Sequence, residues 1–401
     1  MTDPQNRLAT RKPATVGLLL MLTLLGVFPI DVVLPSFPAL SEHFQSPSSD
    51  IALSVSLFAV GIALSQLLIG PLSDVMGRKN LLLIGITVAA IGATGCVFAD
   101  SYWTFLFFRV VQALGCGCFV LSQALIQDLF TGQEQQRLRI FLVTCGGIFI
   151  SVSPLAGTGL QSWMGWRGSF LVFIVLAMGV FASACLLLER STAGSQPRRL
   201  NFIAAYRTVC ADFSFMAYWL TSALAFSCHF SFIVISPLVL IDQLHLSSEA
   251  FSLALLGYGL AYIGGGAVAS VLSNRIDSQT QIITGLVLIL SAGVLMLGLS
   301  SHLGLSVTTL LLPMIVCTAG TTIARAAAHT QAMNRFPERA GTSASAGSVL
   351  IFILGGLTSA AISLTPLDLQ LTLALCLVLL SLLGLALNAL VRHRYKGLLA
   401  D

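Results

Sequence analysis

Apolar residues fill long, nearly unbroken runs of this chain, and polar residues are confined to short stretches between them. A helix needs about 20 residues to cross a bilayer core about 30 Å thick. Twelve runs of that length are predicted as spans, at 15–40, 51–72, 80–99, 103–125, 138–160, 168–188, 213–240, 250–272, 280–300, 304–328, 343–364 and 367–391. The connections are short except Glu189 to Asp212, which carries Arg190, Gly194, Pro197, Arg198, Arg199 and Arg207. This stretch divides the chain into an N-terminal half (1–188), a cytoplasmic linker (189–212) and a C-terminal half (213–401).

Charge fixes the orientation. With the N-terminus inside, every Lys and Arg except Arg109 and Arg167 falls in or next to a cytoplasmic segment. Arg109 lies within a span, Arg167 lies outside, and Arg325 sits near the inner end of its helix. The acidic residues Glu42, Asp50, Asp100, Asp242, Glu249 and Asp368 fall on the outer side. This asymmetry puts both termini of a multi-pass membrane protein on the cytoplasmic side. The first run, preceded by Arg7, Arg11 and Lys12, is too long for a signal-peptide core, so no cleaved leader is expected.

Composition agrees: the chain is 56% hydrophobic and 9% charged, where soluble domains carry about 25%. The net charge of +4 follows topology and does not imply a nucleic-acid partner. Nine cysteines lie mostly inside apolar runs and read as packing residues. Cys116 and Cys118 have no Cys or His partners nearby in sequence, so no metal site is expected. No phosphate-binding G-x-x-x-x-G-K-[ST] loop, H-E-x-x-H or G-x-S-x-G is present, which argues against ATP as driver and against an enzyme.

An internal repeat divides the chain at the same place. At a shift of 200 residues, Leu72, Ser73, Asp74 and Gly85 fall on Leu272, Ser273, Asn274 and Gly285.

Candidate chemistry lies where polarity interrupts the runs. Asp31 sits inside the first span, where a carboxylate costs a few kcal/mol and normally faces a cavity or a partner. Pro29, Pro35 and Pro38 bend that helix and free backbone carbonyls. The fourth span holds Arg109, Gln112 and Gly115. Counting from Val16, Asp31 lies about 22 Å up from the inner face, leaving about 8 Å of core. Counting from Trp103, Arg109 lies about 9 Å below the outer face, so the two opposite charges share a depth and can stabilise each other. His229 in the seventh span lies at a similar depth and could bind a proton or be a hydrogen-bonded core histidine. Phe28, Gln112, Trp219 and Phe232 are candidate cavity residues, with Phe230, Tyr258 and Tyr262 beside them. Arg325 and His329 share a helix face and read as positive-inside residues.

The loop Gly70–Lys79, G-P-L-S-D-V-M-G-R-K, resembles the loop between the second and third helices of the major facilitator superfamily. Gly70, Asp74, Gly77, Arg78 and Lys79 fit that pattern residue for residue. Arg109-x-x-Gln112-Ala113-Leu114-Gly115, then Asp128-Leu129-Phe130 before Gly132, is similar to the bicyclomycin/chloramphenicol-resistance (Bcr/CflA) subfamily of drug:proton antiporters. So are Asp31, Leu34-Pro35 and Pro38, and the later Ser236-Pro237 with Leu240-Ile241-Asp242. One departure is Val32-Val33, where the subfamily usually has Met-Tyr. Gly146, Gly147, Pro154, Gly157 and Gly159 of the fifth span resemble the superfamily's antiporter motif. Gly165-Trp166-Arg167 resembles the subfamily's outer loop, and Trp163 and Trp166 suit an interfacial belt.

The resemblance implies an all-α fold of twelve membrane helices in two pseudo-symmetric six-helix bundles. It implies export of small organic molecules such as drugs, driven by a proton gradient with no cofactor, by a monomer. It further implies a cytoplasmic gate of Gly70, Asp74, Gly77, Arg78, Lys79 and Asp128. Export of a specific metabolite such as a siderophore is the alternative. An uncoupled facilitator is disfavoured by Asp31.

Overall fold

The computed structural model describes residues 4–188, 202–336 and 340–398, and among them the chain is helical with no strand. The helices are α1 (Pro4–Asp31), α2 (Phe37–Phe44), α3 (Ser48–Met76), α4 (Arg78–Val97), α5 (Tyr102–Cys116), α6 (Leu121–Leu129), α7 (Gly132–Met164) and α8 (Arg167–Leu187). There follow α9 (Phe202–Ala211), α10 (Phe213–Pro237), α11 (Ser248–Leu272), α12 (Ser278–Leu303), α13 (Val307–Arg335), α14 (Ala340–Ser363) and α15 (Leu369–Leu398). Eleven helical stretches of the described residues are long and apolar enough to cross a membrane. The remaining expected span, 138–160, lies within α7, a 33-residue helix containing Pro154. Of the expected linker, residues 189–201 lie outside the described residues, and 202–211 form the helix α9.

Helix ends follow local chemistry. Ser101, Asp212, Ser247, Asp277 and Ser306 each accept a hydrogen bond from a backbone N–H of the first helical turn. At Asp277 the bonds from Thr280 hold the carboxyl below its ordinary range. Gly77 turns the chain between α3 and α4 with φ 82°, a conformation that disfavours any side chain.

The sequence repeat has a packing counterpart. In the first half α4 crosses α5 where Gly85 meets Gly115, and a Cβ on Gly115 would lie 2.6 Å from the Gly85 carbonyl oxygen. In the second half α12 crosses α13 where Gly285 meets Gly320, again with a 2.6 Å approach of a Gly320 Cβ to the Gly285 carbonyl. Without an aqueous hydrophobic drive between helices, close packing at small residues holds such crossings.

The halves meet along two helix pairs, α3 with α14 and α7 with α11. At the end expected to face outward, Ser56 hydrogen-bonds Ser359 at 2.8 Å and Ser252 donates to the Pro154 carbonyl at 3.0 Å. Toward the other end Ser345 donates to the Gln66 carbonyl at 2.9 Å, and Tyr206 of α9 donates to Ser345.

Large apolar side chains such as Val175, Leu68 and Leu186 are exposed on the outer faces, as a lipid-facing surface requires. The two tryptophans of the expected belt part company. Trp163 is 87% exposed, but Trp166 is 6% exposed and packs among Phe44, Phe105 and Phe170. Trp103 is likewise exposed, at 75%.

Candidate functional site

The first span does not continue as one helix past its carboxylate. α1 ends at Asp31, a 3-10 turn covers Leu34–Ser36, and α2 starts at Phe37. Pro35 and Pro38 supply no backbone N–H, so the α-helical ladder stops there. Among the described residues the Phe28 carbonyl still accepts from the Val32 N–H at 3.2 Å, but the carbonyls that follow it in α1 lie past the helical ladder.

Arg109 of α5 takes one of them. Its Nη2 donates to the Pro29 carbonyl at 3.1 Å, and its Nη1 donates to Gln112 Oε1, one turn on, at 2.8 Å. The guanidinium lies over the Phe58 ring of α3, 4.1 Å from its centroid. Arg109 is fully buried. A cation at the C-terminus of α1 also complements the helix dipole.

The two charges expected to pair from their depth are thus not bonded: Arg109 reaches the backbone two residues before Asp31 instead of the carboxylate. Among the described residues no ion pair or hydrogen bond reaches the Asp31 carboxylate, although Asp31 is only 6% exposed. The guanidinium is spoken for by a backbone carbonyl and a side-chain amide, which helix termination put within reach. Phe28 and Gln112 line a void of about 10 Å³, about the size of one water, with Pro29, Val33, Ser169, Phe170 and Phe173. Among the described residues, Gln112 Nε2, on a residue lining the void, and Arg109 Nε are buried without hydrogen-bond partners.

α7 holds this break in place. A Cβ on Gly157 would lie 2.2 Å from the carbonyl oxygen of Val32, the residue after Asp31. Gly147 faces Tyr262 and Ile263 of α11, and Gly146 faces Thr23 of α1. Gly159 has open space around it. The glycine motif therefore lies between the helix carrying Asp31 and the opposite half.

In the second half His229 is a hydrogen-bonded core residue. Its Nδ1 bonds the Tyr258 hydroxyl, and the two rings stack at 5.5 Å. Phe232 is fully buried against Tyr258, and Trp219 is 1% exposed between Phe215 and His329. Both pack in the protein interior, and among the described residues Trp219 Nε1 has no hydrogen-bond partner. Arg325 departs from its expected place: its guanidinium lies 4.8 Å from the Phe226 centroid of α10.

At the inner turn Arg78 Nε pairs with Asp128 Oδ2 at 3.3 Å, and Arg78 also donates to Ser73 Oγ. Lys79 Nζ donates to the Cys185 and Leu188 carbonyls at the end of α8, at 2.7 and 2.5 Å. Gly70 and Asp74 lie on the last turns of α3, and the Asp74 side chain falls outside what the structure describes. Among the described residues no group of His, Cys, Asp and Glu could hold a metal, and Cys116 and Cys118 are buried thiols.

Known proteins resemble this chain in sequence and in overall fold. The family model described as "Major Facilitator Superfamily" matches residues 19–360. The chain is 26% identical over 352 residues to an uncharacterized MFS-type transporter, YdgK, of Bacillus subtilis, covering 86% of this chain and 87% of that one. It is 28% identical over 347 residues to a chloramphenicol resistance protein of Pseudomonas aeruginosa, covering 86% and 81%. It is 23% identical over 360 residues to a bicyclomycin resistance protein homolog of Haemophilus influenzae, covering 88% and 89%. The fold is that of a D-xylose-proton symporter crystal structure, with a TM-score of 0.72 at 16% identity over 92% of this chain and 96% of that one. Helix count, repeat, inner-turn motif and family match agree, and the chain belongs to the major facilitator superfamily.

Proposed function

We propose that this membrane transporter is a proton-coupled antiporter that exports small organic molecules, drugs among them, across the bacterial inner membrane. Relatives named as chloramphenicol, bicyclomycin and multidrug resistance proteins support the export reading. The observation that carries the coupling is Asp31: a buried carboxylate at a helix break, free of any hydrogen bond or ion pair among the described residues. Ionisable groups held inside a membrane protein mark proton and substrate pathways.

In this reading both termini are cytoplasmic. Residues 1–188 and 213–401 are the two bundles, joined by the linker 189–212, and they rock about a central site. Arg109, fixed by Pro29 and Gln112, is a stationary positive charge. A proton from the periplasm neutralises Asp31 and removes its attraction to that charge. The α1 break, wedged against Gly157, transmits the change to α7 and so to α11. Proton release to the cytoplasm restores the carboxylate, and substrate occupies the site in alternation with the proton. The Arg78–Asp128 pair, with Asp74, Gly70, Gly77 and Lys79, steadies the cytoplasmic gate. His229, bonded to Tyr258, is the second proton site to test.

The test is chloramphenicol accumulation in everted membrane vesicles with and without a pH gradient, acid inside. Gradient-dependent accumulation that is lost in Asp31→Asn is expected. Accumulation indifferent to the gradient would overturn proton coupling.

A further inference from the structure

A membrane-embedded cation ordinarily has a carboxylate or carbonyl partner. Arg325 has neither. Among the described residues it makes no hydrogen bond or ion pair, and its Nε is buried without an acceptor. Sequence offers it little: α10, α13 and α14, which pack together around it, contain no Asp or Glu. The nearest acidic residue before α10, Asp212, is bonded to Arg335 at 3.1 Å.

The side chain does not reach for the cytoplasm either. Arg325 lies ten residues before the end of α13, about 15 Å along the helix. Helical side chains lean toward the helix N-terminus, here away from the cytoplasmic end. Its guanidinium meets Phe226, thirteen residues into the antiparallel α10, about 20 Å from the same end. Both counts put the charge well inside the membrane-spanning part of the protein. Around it stands an aromatic wall. Phe226 stacks on Phe230 at 5.3 Å, meets Phe352 edge-on at 5.7 Å and lies 6.2 Å from the His229 ring.

We propose that Arg325 and Phe226 form a subsite for an anionic group of the transported molecule, with its aromatic or apolar body against the phenylalanine wall. The class is a small aromatic carboxylate or a similar organic anion. A guanidinium presents forked donors that match a carboxylate, and the half-buried setting of Arg325 strengthens the contact. The substrate then supplies the negative charge that the helices omit. This deepens the exporter reading and rests on it for its direction of transport.

Binding to purified protein in detergent, with no gradient, tests the subsite by calorimetry with benzoate and its neutral analogue benzamide. Benzoate should bind at least tenfold more tightly than benzamide. Arg325→Gln should abolish that preference, and Arg325→Lys should keep part of it, since ammonium retains charge without the fork. Phe226→Leu should weaken both probes. Equal binding of the two probes, no binding of either, or an unchanged preference in Arg325→Gln would overturn the subsite. If Arg325→Gln is not recovered folded, the reduced preference in Arg325→Lys decides. A lipid phosphate could supply the same chemistry, so the titration is repeated in phosphatidylcholine and phosphatidylglycerol nanodiscs. Benzoate binding that disappears only in phosphatidylglycerol would assign the guanidinium to a headgroup and overturn the substrate role. Because no gradient is used, benzoate preference in a protein that fails the vesicle test would leave the subsite standing and sink the exporter. Gradient-driven export with no benzoate preference would do the reverse.

Discussion

Arg109 donates a hydrogen bond to the carbonyl of Pro29, two residues before Asp31, and so closes the end of the first membrane helix from the side. Removing it leaves the Pro29 carbonyl and the Gln112 amide oxygen buried without donors, at about 1–3 kcal/mol for each unsatisfied group. Arg109→Ala should therefore lower the melting temperature of the purified protein as well as transport. Arg109→Lys keeps the charge but cannot serve both acceptors with a planar fork, so it should lie between the two. Thermal unfolding in detergent checks the order. An Arg109→Ala protein as stable as the parent would show that the helix end does not depend on this bond.

Asp31 should behave in the opposite way. Its carboxylate makes no hydrogen bond or ion pair among the described residues, so Asp31→Asn removes little structure. Its melting temperature should stay within a few degrees of the parent. Proton release on adding chloramphenicol to lightly buffered purified protein should vanish. Release that persists would move the coupling group elsewhere, with His229→Gln the next variant to measure.

Gly157 and Gly159 make a matched pair on α7. An added methyl at Gly157 meets the Val32 carbonyl oxygen at 2.2 Å, whereas one at Gly159 meets nothing within 4 Å. Gly157→Ala must push α1 and α7 apart at the break after Asp31, and overpacking of this kind costs about 1–3 kcal/mol. Export should fall at least tenfold in Gly157→Ala and remain near parent in Gly159→Ala. Equal activity in the two would remove the α1–α7 contact from the mechanism.

At the inner turn, the Arg78–Asp128 pair is partly exposed, and such pairs are worth about 0–1 kcal/mol. Asp128→Asn and Asp74→Asn should leave membrane abundance unchanged while reducing vesicle transport several-fold. Immunoblots alongside the transport assay separate the two effects. Parent-level transport in Asp74→Asn and Arg78→Ala would reduce the motif to a charge cluster that orients the chain.

What the sequence determined by itself was whatever a local property fixes. Span positions follow from runs of apolar residues, because each helix must satisfy its own backbone in lipid. The tight turn at Gly77 follows from its residue type and is seen as a positive φ. The break near Asp31 follows from Pro35 and Pro38, and the repeat at Gly85 and Gly285 foreshadows the matching helix crossings.

Tertiary structure decided which groups became partners. Depth along a helix is one coordinate, and it put Asp31 and Arg109 on one level without saying which way either side chain turns. The guanidinium went to Pro29 and Gln112 because the end of α1 left a carbonyl needing a donor. Trp163 and Trp166 are three residues apart with similar flanks, yet only the packing of Phe44, Phe105 and Phe170 makes one of them core. Arg325 read as a residue of the inner face, and the approach of α10 to α13 placed its charge on Phe226 instead. Each of these outcomes depends on how distant backbones approach one another, and hydropathy along the chain carries no term for that.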